Sequence, residues 1–416
     1  MRVRTPRAHN AADMNPTPLS GLRVIEFSAF VAAPSAGLAL AQLGADVVRV
    51  DPRGGNIDVG RLPLNAAGRS LYWASLNRGK RSVELDVRSA PGRALLQRLI
   101  CAPGDGPAVF LTNLSVDGEL SYEALSALRP GLIMVQLSGS ADGGSAVDYT
   151  VNCAAGFPGV TGSGRDGPVN HVLPAWDLIA GQMLALAVLA AERHWRLTGE
   201  GQHVRLALSD VAMATAANLG YLADVELNGS QRRADGNFLY GAYGDSFACA
   251  DGRHAMVVAI TDRQWAALLR ATGMQDALPQ AAAALGQRLD DESGRYAARE
   301  LISTALRPWF AQRTLAEVAA AFTDRALLWG PYRSFAQMLA EDARCSEANP
   351  MFRRIAHPGV GEFLTPGSPL HFGTLQATPG LAPRLGEHTQ AVLRERLALD
   401  DAALRELAQA GAIARD

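Results

Sequence analysis

The chain has 416 residues, 48% of them hydrophobic, with 39 Lys and Arg against 41 Asp and Glu for a formal net charge of −2. That length exceeds one ordinary domain, and the apolar share can fill a large core. The near-neutral balance gives no electrostatic case for nucleic acid as a partner.

Residues 1–16, MRVRTPRAHNAADMNP, are basic and irregular without an apolar core, and read as a flexible extension rather than a secretory signal. From residue 17 the pattern is α/β. A strand over 22–27 is followed by a helix over 33–43, closed by Gly44, and a strand over 45–50 that ends at Asp51. This β-α-β spacing implies parallel strands. Asp51 stands where a dinucleotide-binding domain places its ribose acid. The turn Ser28-Ala29-Phe30-Val31-Ala32-Ala33-Pro34 lacks the Gly-rich phosphate loop, which disfavours a nicotinamide enzyme. A Gly- and Asn-rich loop over 53–70 follows. Next come a strand over 83–86, a helix over 91–100, a strand over 108–112 ending at Asn113, a helix over 121–128 and a strand over 132–137 that stops at Ser138-Gly139. Open α/β sheets bind ligands outside such carboxyl ends.

Residues 140–176 read as a long, loop-rich connection. The run 178–195 is rich in Ala and Leu and reads as a buried helix, too short to span a membrane and carrying Gln182. Asp177 sits at its start, with Pro174 just upstream. A carboxylate there feels the positive end of the helix dipole and unpaired N–H groups, which favour its ionised form. An ionised, partly desolvated carboxylate can attack an activated carbonyl; the competing reading is a plain N-cap. A strand over 204–208 and a helix over 209–227 complete the first part of a large domain, 17–227. The polar run 228–246, with Gly229, Gly236, Gly241 and Gly244, reads as a linker. Residues 247–335 form a smaller unit with a strand over 255–260 and helices over 263–271, 295–311 and 314–323. Residues 336–416 are a return linker followed by helices over 388–397 and 400–409 that belong to the large domain. Cys101, Cys153, Cys249 and Cys345 stand far apart without a CxxC pair, so reduced, mostly buried thiols in a cytoplasmic protein are expected.

The stretches PLSGLRVIEFS, LAQLGADVVRVD, NRGKRSVELDVRS, LTGEGQHVRLALSD and APRLGEHTQAVL occur in this order from about residue 18 to the C-terminus. Together they resemble the class III CoA-transferases, the formyl-CoA transferase and carnitine CoA-transferase group. The resemblance implies an α/β fold with a Rossmann-like large domain built from both chain ends, a smaller central domain, and a homodimer of two interlocked rings. It places the catalytic aspartate on Asp177. It places CoA contacts on Leu85, Arg88 and Asn113, and at Phe30 and Val31, where Val31 replaces the Gln found near the aspartate in formyl-CoA transferase. Arg53 is a further phosphate candidate. Lys80 and Arg81 are close in sequence, with a solvated basic turn as the competing reading. The family's run of consecutive glycines is missing, and the sparser GNFLYGAYG, 236–244, stands in its place. A racemase branch would carry its His at Val147, so α-proton chemistry is disfavoured.

SAFVAAP, VDYTVN, VNHVLPAWD, GNFLYGAYG, NPMF and PGSPL carry a narrower likeness, to the branch that moves CoA between the two carboxyls of one molecule. The implied reaction converts 2-methylfumaryl-CoA (mesaconyl-C1-CoA) to 3-methylfumaryl-CoA (mesaconyl-C4-CoA) through an aspartyl anhydride and an aspartyl-CoA thioester. The alternatives are intermolecular transfer from a dicarboxylyl-CoA to a separate acid, and CoA binding without catalysis. The implied chemistry uses an acyl-CoA substrate and no cofactor beyond its CoA, with no metal, nicotinamide or membrane. The likeness suggests carbon fixation by the 3-hydroxypropionate route. Such a pocket needs a cation or polar donors for the free carboxylate, and must exclude water. His171, Asn170, Tyr240 and Tyr243 are the candidates, with core packing as the competing reading for the tyrosines.

Overall fold

Short apolar runs, RVIEF, DVVRVDP, RSVEL, VFLT, IMVQLS and QHVRLA, form six parallel strands: β1 (Arg23–Phe27), β2 (Asp46–Pro52), β3 (Arg81–Leu85), β4 (Val109–Thr112), β5 (Ile133–Ser138) and β6 (Gln202–Ala207). Their order is β3-β2-β1-β4-β5-β6, so the chain reverses direction across the sheet between β1 and β4. That point is the usual ligand crevice of a doubly wound sheet. The structure, a computed structural model, describes residues 17–165, 167–324, 326–373 and 379–414; the expected extension 1–16 lies outside them.

The helices in this first stretch are α1 (Ala32–Gln42), α2 (Leu71–Leu76), α3 (Ala90–Ile100), α4 (Tyr122–Leu128), α5 (Asp148–Ala154), α6 (Ala175–Thr198), α7 (Leu208–Asn218) and α8 (Tyr221–Asn228). Two departures from the sequence expectation stand out. The connection 140–176 is not structureless: it holds α5 and a 3₁₀ turn at Phe157–Val160. The expected single helix over 209–227 is broken into α7 and α8 at Gly220, whose φ of 79° leaves the helical region. α6 is also longer than expected. By length and composition alone it could cross a membrane, yet Ala180, Gly181, Leu184, Ala185 and Val188 bury one face against the protein.

After α8 come β7 (Tyr243–Ala248), β8 (His254–Ala259), α9 (Asp262–Thr272), α10 (Ala277–Ala284), α11 (Glu292–Ala297), α12 (Arg299–Ala311), α13 (Leu315–Ala321), β9 (Leu328–Pro331) and α14 (Phe335–Glu341). The chain ends in the hairpin β10 (Phe352–His357) and β11 (Gly361–Pro366), then α15 (Thr389–Leu397) and α16 (Asp401–Gln409).

Two compact units divide this chain. One comprises the described residues up to Ala155, His171–Ala223 and those from Ala343 onward; the other comprises Gly156–Asn170 and Asp224–Asp342. The second unit is built on the antiparallel sheet β7-β8-β9 around Tyr243, Phe247, Trp265, Trp309, Phe310 and Phe322. The run 228–246 is therefore not a free linker. It lies in that unit, and its last four residues open β7, with Tyr243 fully buried. Its polar, Gly-rich composition hid a buried aromatic anchor, Tyr243. The expected return linker likewise begins inside α14, which belongs to the second unit. Of the cysteines only Cys249 is buried, and Cys153 is exposed, which corrects the expectation of mostly buried thiols.

In the larger unit, side chains alternate across each strand. Ile25, Val48, Val83, Phe110 and Met134 form one core with α3, α15 and α16. On the opposite face α1 and α6 cross at close range. A Cβ added to Gly181 would fall 1.9 Å from Ser35 Oγ and 2.8 Å from the Ala32 carbonyl oxygen. The lone glycine inside α6 is thus the point where the backbone of α1 must approach. Gly181 lies one turn after Asp177, on the same helical face.

Candidate functional site

A cavity of about 560 Å³ lies at the carboxyl ends of β1, β4 and β5, lined among others by Phe30, Val31, Arg61, Asn113, Val147 and Asp177. All of these belong to the larger unit. Sequence reasoning had named Asp177, Phe30, Val31 and Asn113, and the fold brings all four together. Phe30 is a non-glycine residue at φ 63°. This left-handed turn is strained for a bulky side chain. It holds the ring at the cavity, with the Arg61 guanidinium 5.6 Å from the ring centre. Asn113 shapes the same turn: its Nδ2 donates to the Ala29 carbonyl at 2.8 Å, and its Oδ1 accepts from the Ala29 N–H at 2.9 Å. Its amide is therefore engaged with the β1 turn.

Asp177 lies in the first turn of α6 and is half-buried. The helix start does not lower its pKa as the sequence reading expected. Its carboxyl is pushed up to about 6, first by burial and then by the neighbouring Asp148, with Arg61 opposing. The reason is that Asp148 already occupies the positive end of the helix. Its Oδ2 accepts the N–H groups of Trp176 at 2.7 Å and Asp177 at 3.1 Å, and its Oδ1 lies 2.7 Å from His171 Nε2. The next amide, Leu178, donates to the Pro174 carbonyl at 3.0 Å. These N–H groups are consumed, so they neither favour an Asp177 carboxylate nor serve as oxyanion donors. Asp148 is buried, whereas the sequence reading had placed it in the loop-rich connection 140–176 and given it no role.

The pH consequence follows directly. A carboxylate nucleophile loses its ionised fraction as pH falls through its pKa. Turnover should therefore fall with unit slope below about pH 6 rather than near 4. A pH–rate profile checks this, and an acid limb at 4 or below would show that burial and Asp148 do not act on the reacting group.

Beneath the Ser28–Phe30 turn lies a buried charge network. Arg49 donates to Asp51 at 2.9 and 3.0 Å, to Asp58 at 3.0 Å and to the Ser28 carbonyl at 3.1 Å. Burial works against its charge, but Asp51, Glu26 and Asp58 outweigh it and raise its pKa. Asp51 is thus a structural partner of Arg49, not a ribose ligand. Lys80 Nζ lies 2.9 Å from Glu26 Oε2 and donates to the Pro34 carbonyl at 2.8 Å. Burial pulls Lys80 down to about 8. Arg81 pairs with Asp46 at 2.7 Å and Glu395 at 2.6 Å. Both cations anchor the fold.

The remaining expected contacts lie elsewhere. Leu85 ends β3 opposite Pro52 at the end of β2, and its side chain is in the core. Arg53 and Arg88 are exposed at these two strand ends, away from the residues lining the Asp177 cavity. His171 is held by Asp148 and does not line the cavity. Tyr243 is core of the second unit, with its hydroxyl 3.1 Å from Ser303 Oγ and its pKa raised by burial. It is not an acyl-pocket residue. Tyr240 belongs to the second unit too, packed on Tyr296 and the Arg232 guanidinium. Asn170 also lies in that unit. The cation that does line the cavity, Arg61, was missed because its loop, 53–70, carries no periodic pattern.

Comparison with known proteins adds the following. A family model described as CoA-transferase family III matches residues 19–389. The chain is 51% identical over 399 residues to the 2-methylfumaryl-CoA isomerase of Chloroflexus aurantiacus (95% of this chain, 98% of that protein). It is 28% identical to the succinyl-CoA:mesaconate CoA-transferase of Haloarcula hispanica (91% of this chain, 96% of that protein). The crystal structure of a CAIB/BAIF family protein from Brucella suis superposes with a TM-score of 0.76 at 26% identity, over 92% of this chain and 100% of that one.

Proposed function

The chain belongs to CoA-transferase family III, and on that premise we propose that it moves CoA within one dicarboxylyl-CoA, converting 2-methylfumaryl-CoA (mesaconyl-C1-CoA) to 3-methylfumaryl-CoA (mesaconyl-C4-CoA). The observation that carries this reading is the 51% identity, spanning nearly both chains, to a 2-methylfumaryl-CoA isomerase. The half-buried Asp177 lining this cavity supplies a nucleophile suited to it.

In the reaction, an Asp177 carboxylate oxygen adds to the thioester carbonyl and expels CoA thiolate, leaving a mixed anhydride. The thiolate attacks the aspartyl carbonyl and expels the dicarboxylate, leaving aspartyl-CoA thioester. The dicarboxylate's other carboxyl group attacks that thioester, CoA thiolate leaves again, and the thiolate then takes the acyl group from the second anhydride and frees Asp177. One hard exchange is split into four acyl transfers. One thioester replaces another, so the scheme requires no metal, nicotinamide or ATP. Oxyanion donors fall to the Phe30–Val31 turn at the start of α1, because the first amides of α6 are occupied. Arg53 and Arg88, on neighbouring strand ends, suit CoA phosphates.

The same proposal includes a homodimer. Ile179, Met183 and Leu186 form a stripe on α6 at 38, 42 and 66% exposure, spaced to share one helical face. A second copy would cover such an apolar stripe. The interlocked rings, the cytoplasmic location and a place in the 3-hydroxypropionate route rest on the family resemblance.

The test is incubation with mesaconyl-C1-CoA in the presence of isotope-labelled free mesaconate. The C4-thioester should form without label. Labelled product, or product only when a free acid is added, would assign the chain to intermolecular transfer instead.

A further inference from the structure

We propose that Arg61 is the specificity-determining cation of this site: its guanidinium, held between the rings of Phe30 and Tyr72, binds the free carboxylate of the acyl group and selects dicarboxylyl over monocarboxylyl thioesters. The inference rests on the acyl-transfer reading of Asp177 and names the substrate class that reading leaves open.

Arg61 lines the same cavity as Asp177, Phe30 and Tyr72. Its guanidinium carbon lies 5.6 Å from the Phe30 ring centre and 5.3 Å from that of Tyr72. The two rings, together with a hydrogen bond between Arg61 and Tyr72, restrain the guanidinium, whose remaining N–H groups can meet a ligand. An arginine so fixed presents a fork that matches a carboxylate, with less side-chain freedom to lose on binding. The strained φ of 63° at Phe30 is what brings one of those rings over the cation. Among the described residues no ion pair occupies Arg61, in contrast to the buried Arg49, whose carboxylate partners are all within the protein. The rest of the lining mixes apolar Val31, Val147 and Leu137 with polar Asn113, Ser138, Asp148 and Tyr149, and among the described residues Arg61 is its one cation. A substrate carboxylate entering there therefore meets one dedicated counter-ion.

The arrangement also accounts for transfer in both directions. In the C1- and the C4-thioester alike, one carboxyl carbon faces the nucleophile while the other is a free anion. A single cation beside Asp177 can hold whichever end is free, and can retain the dicarboxylate while its ends exchange.

The test compares mesaconyl-C1-CoA with tiglyl-CoA, in which a methyl group replaces the free carboxylate. Hydroxylamine captures the acylated Asp177 as a hydroxamate, so the rate of thioester-dependent inactivation reports the covalent step for both compounds. In the unmodified protein the dicarboxylyl thioester should be preferred on the order of 100-fold, the size of one lost charge-assisted contact. Arg61→Gln should abolish that preference by slowing the mesaconyl reaction while leaving tiglyl-CoA within a few-fold. Arg61→Lys, which keeps the charge without the stacked fork, should retain part of it and serves if the Gln variant fails to fold. Equal losses for the two thioesters, regained at higher pH, would mean that Arg61 only holds Asp177 ionised and would overturn the assignment. Absence of a preference in the unmodified protein would overturn it too. If neither thioester sensitises the unmodified protein to hydroxylamine, the acyl-transfer reading itself fails, and this inference with it.

Discussion

Asp177→Ala should lose turnover by on the order of 10⁴-fold or more while still binding CoA, as expected when an enzyme is deprived of its covalent nucleophile. No neighbour can take over. Asp148 is the nearest acid that influences Asp177, but its two oxygens are committed to His171 and to the amides of Trp176 and Asp177. The structure adds a second expectation that a merely structural N-cap would not share. Burial and Asp148 raise the Asp177 pKa in the folded state to about 6, above the ordinary value of 3.8. The ionised side chain therefore costs stability in the folded protein. That cost is absent below about pH 4, grows up to pH 6 and is fully present above it. Asp177→Asn should accordingly raise the melting temperature at pH 8 and give no such gain at pH 4. An N-cap would behave in the opposite way, since losing its carboxylate destabilises the helix. Turnover within tenfold of the parent, or a lower melting temperature at pH 8, would remove Asp177 from the reaction scheme.

The largest effects on stability should come from the charge network under the Ser28–Phe30 turn. Lys80→Met alone leaves the fully buried Glu26 facing only Ser28 and the more distant Arg49, 3.6 Å away. Glu26→Leu alone leaves Lys80 without a carboxylate at hydrogen-bonding distance. Each single change should cost about 3–5 kcal/mol, because an uncompensated buried charge is more expensive than a lost contact. The double variant Glu26→Leu/Lys80→Met should cost far less than the two together, with a coupling of about 2 kcal/mol or more in chemical denaturation. Space is tight here: a Cβ at Gly37 would sit 1.7 Å from Glu26 Oε2, so α1 leaves no room for these charges to rearrange or for water to replace them. Additive costs would mean that each ion is satisfied independently and that the pair is not a unit. The lowered pKa of Lys80, about 8, has the same origin: burial outweighs the attraction of Glu26.

The sequence by itself determined the strands of the parallel sheet, most of its helices and the position of Asp177. These are local matters: apolar runs of strand length, glycine stops, and a carboxylate at the head of an Ala- and Leu-rich helix. The residues at the ends of β1 and β4 were equally legible, since a strand end in an open parallel sheet is a place where ligands bind. It was the tertiary structure that decided what those residues do. The pKa of Asp177 is raised rather than lowered, first by burial and then by Asp148, which reaches the same helix end from 29 residues earlier. Tyr243 leaves the candidate pocket because a Gly-rich run supplies the first strand of another unit's core. Arg61 enters the site from a loop without periodicity because Phe30, on a different turn, is strained into place above it. Glu26 and Arg49 lie within the expected strands, and only pairing in register made them partners. Local pattern fixes which elements form. Charge balance, burial and the company a side chain keeps depend on residues distant in sequence, which only the fold brings together.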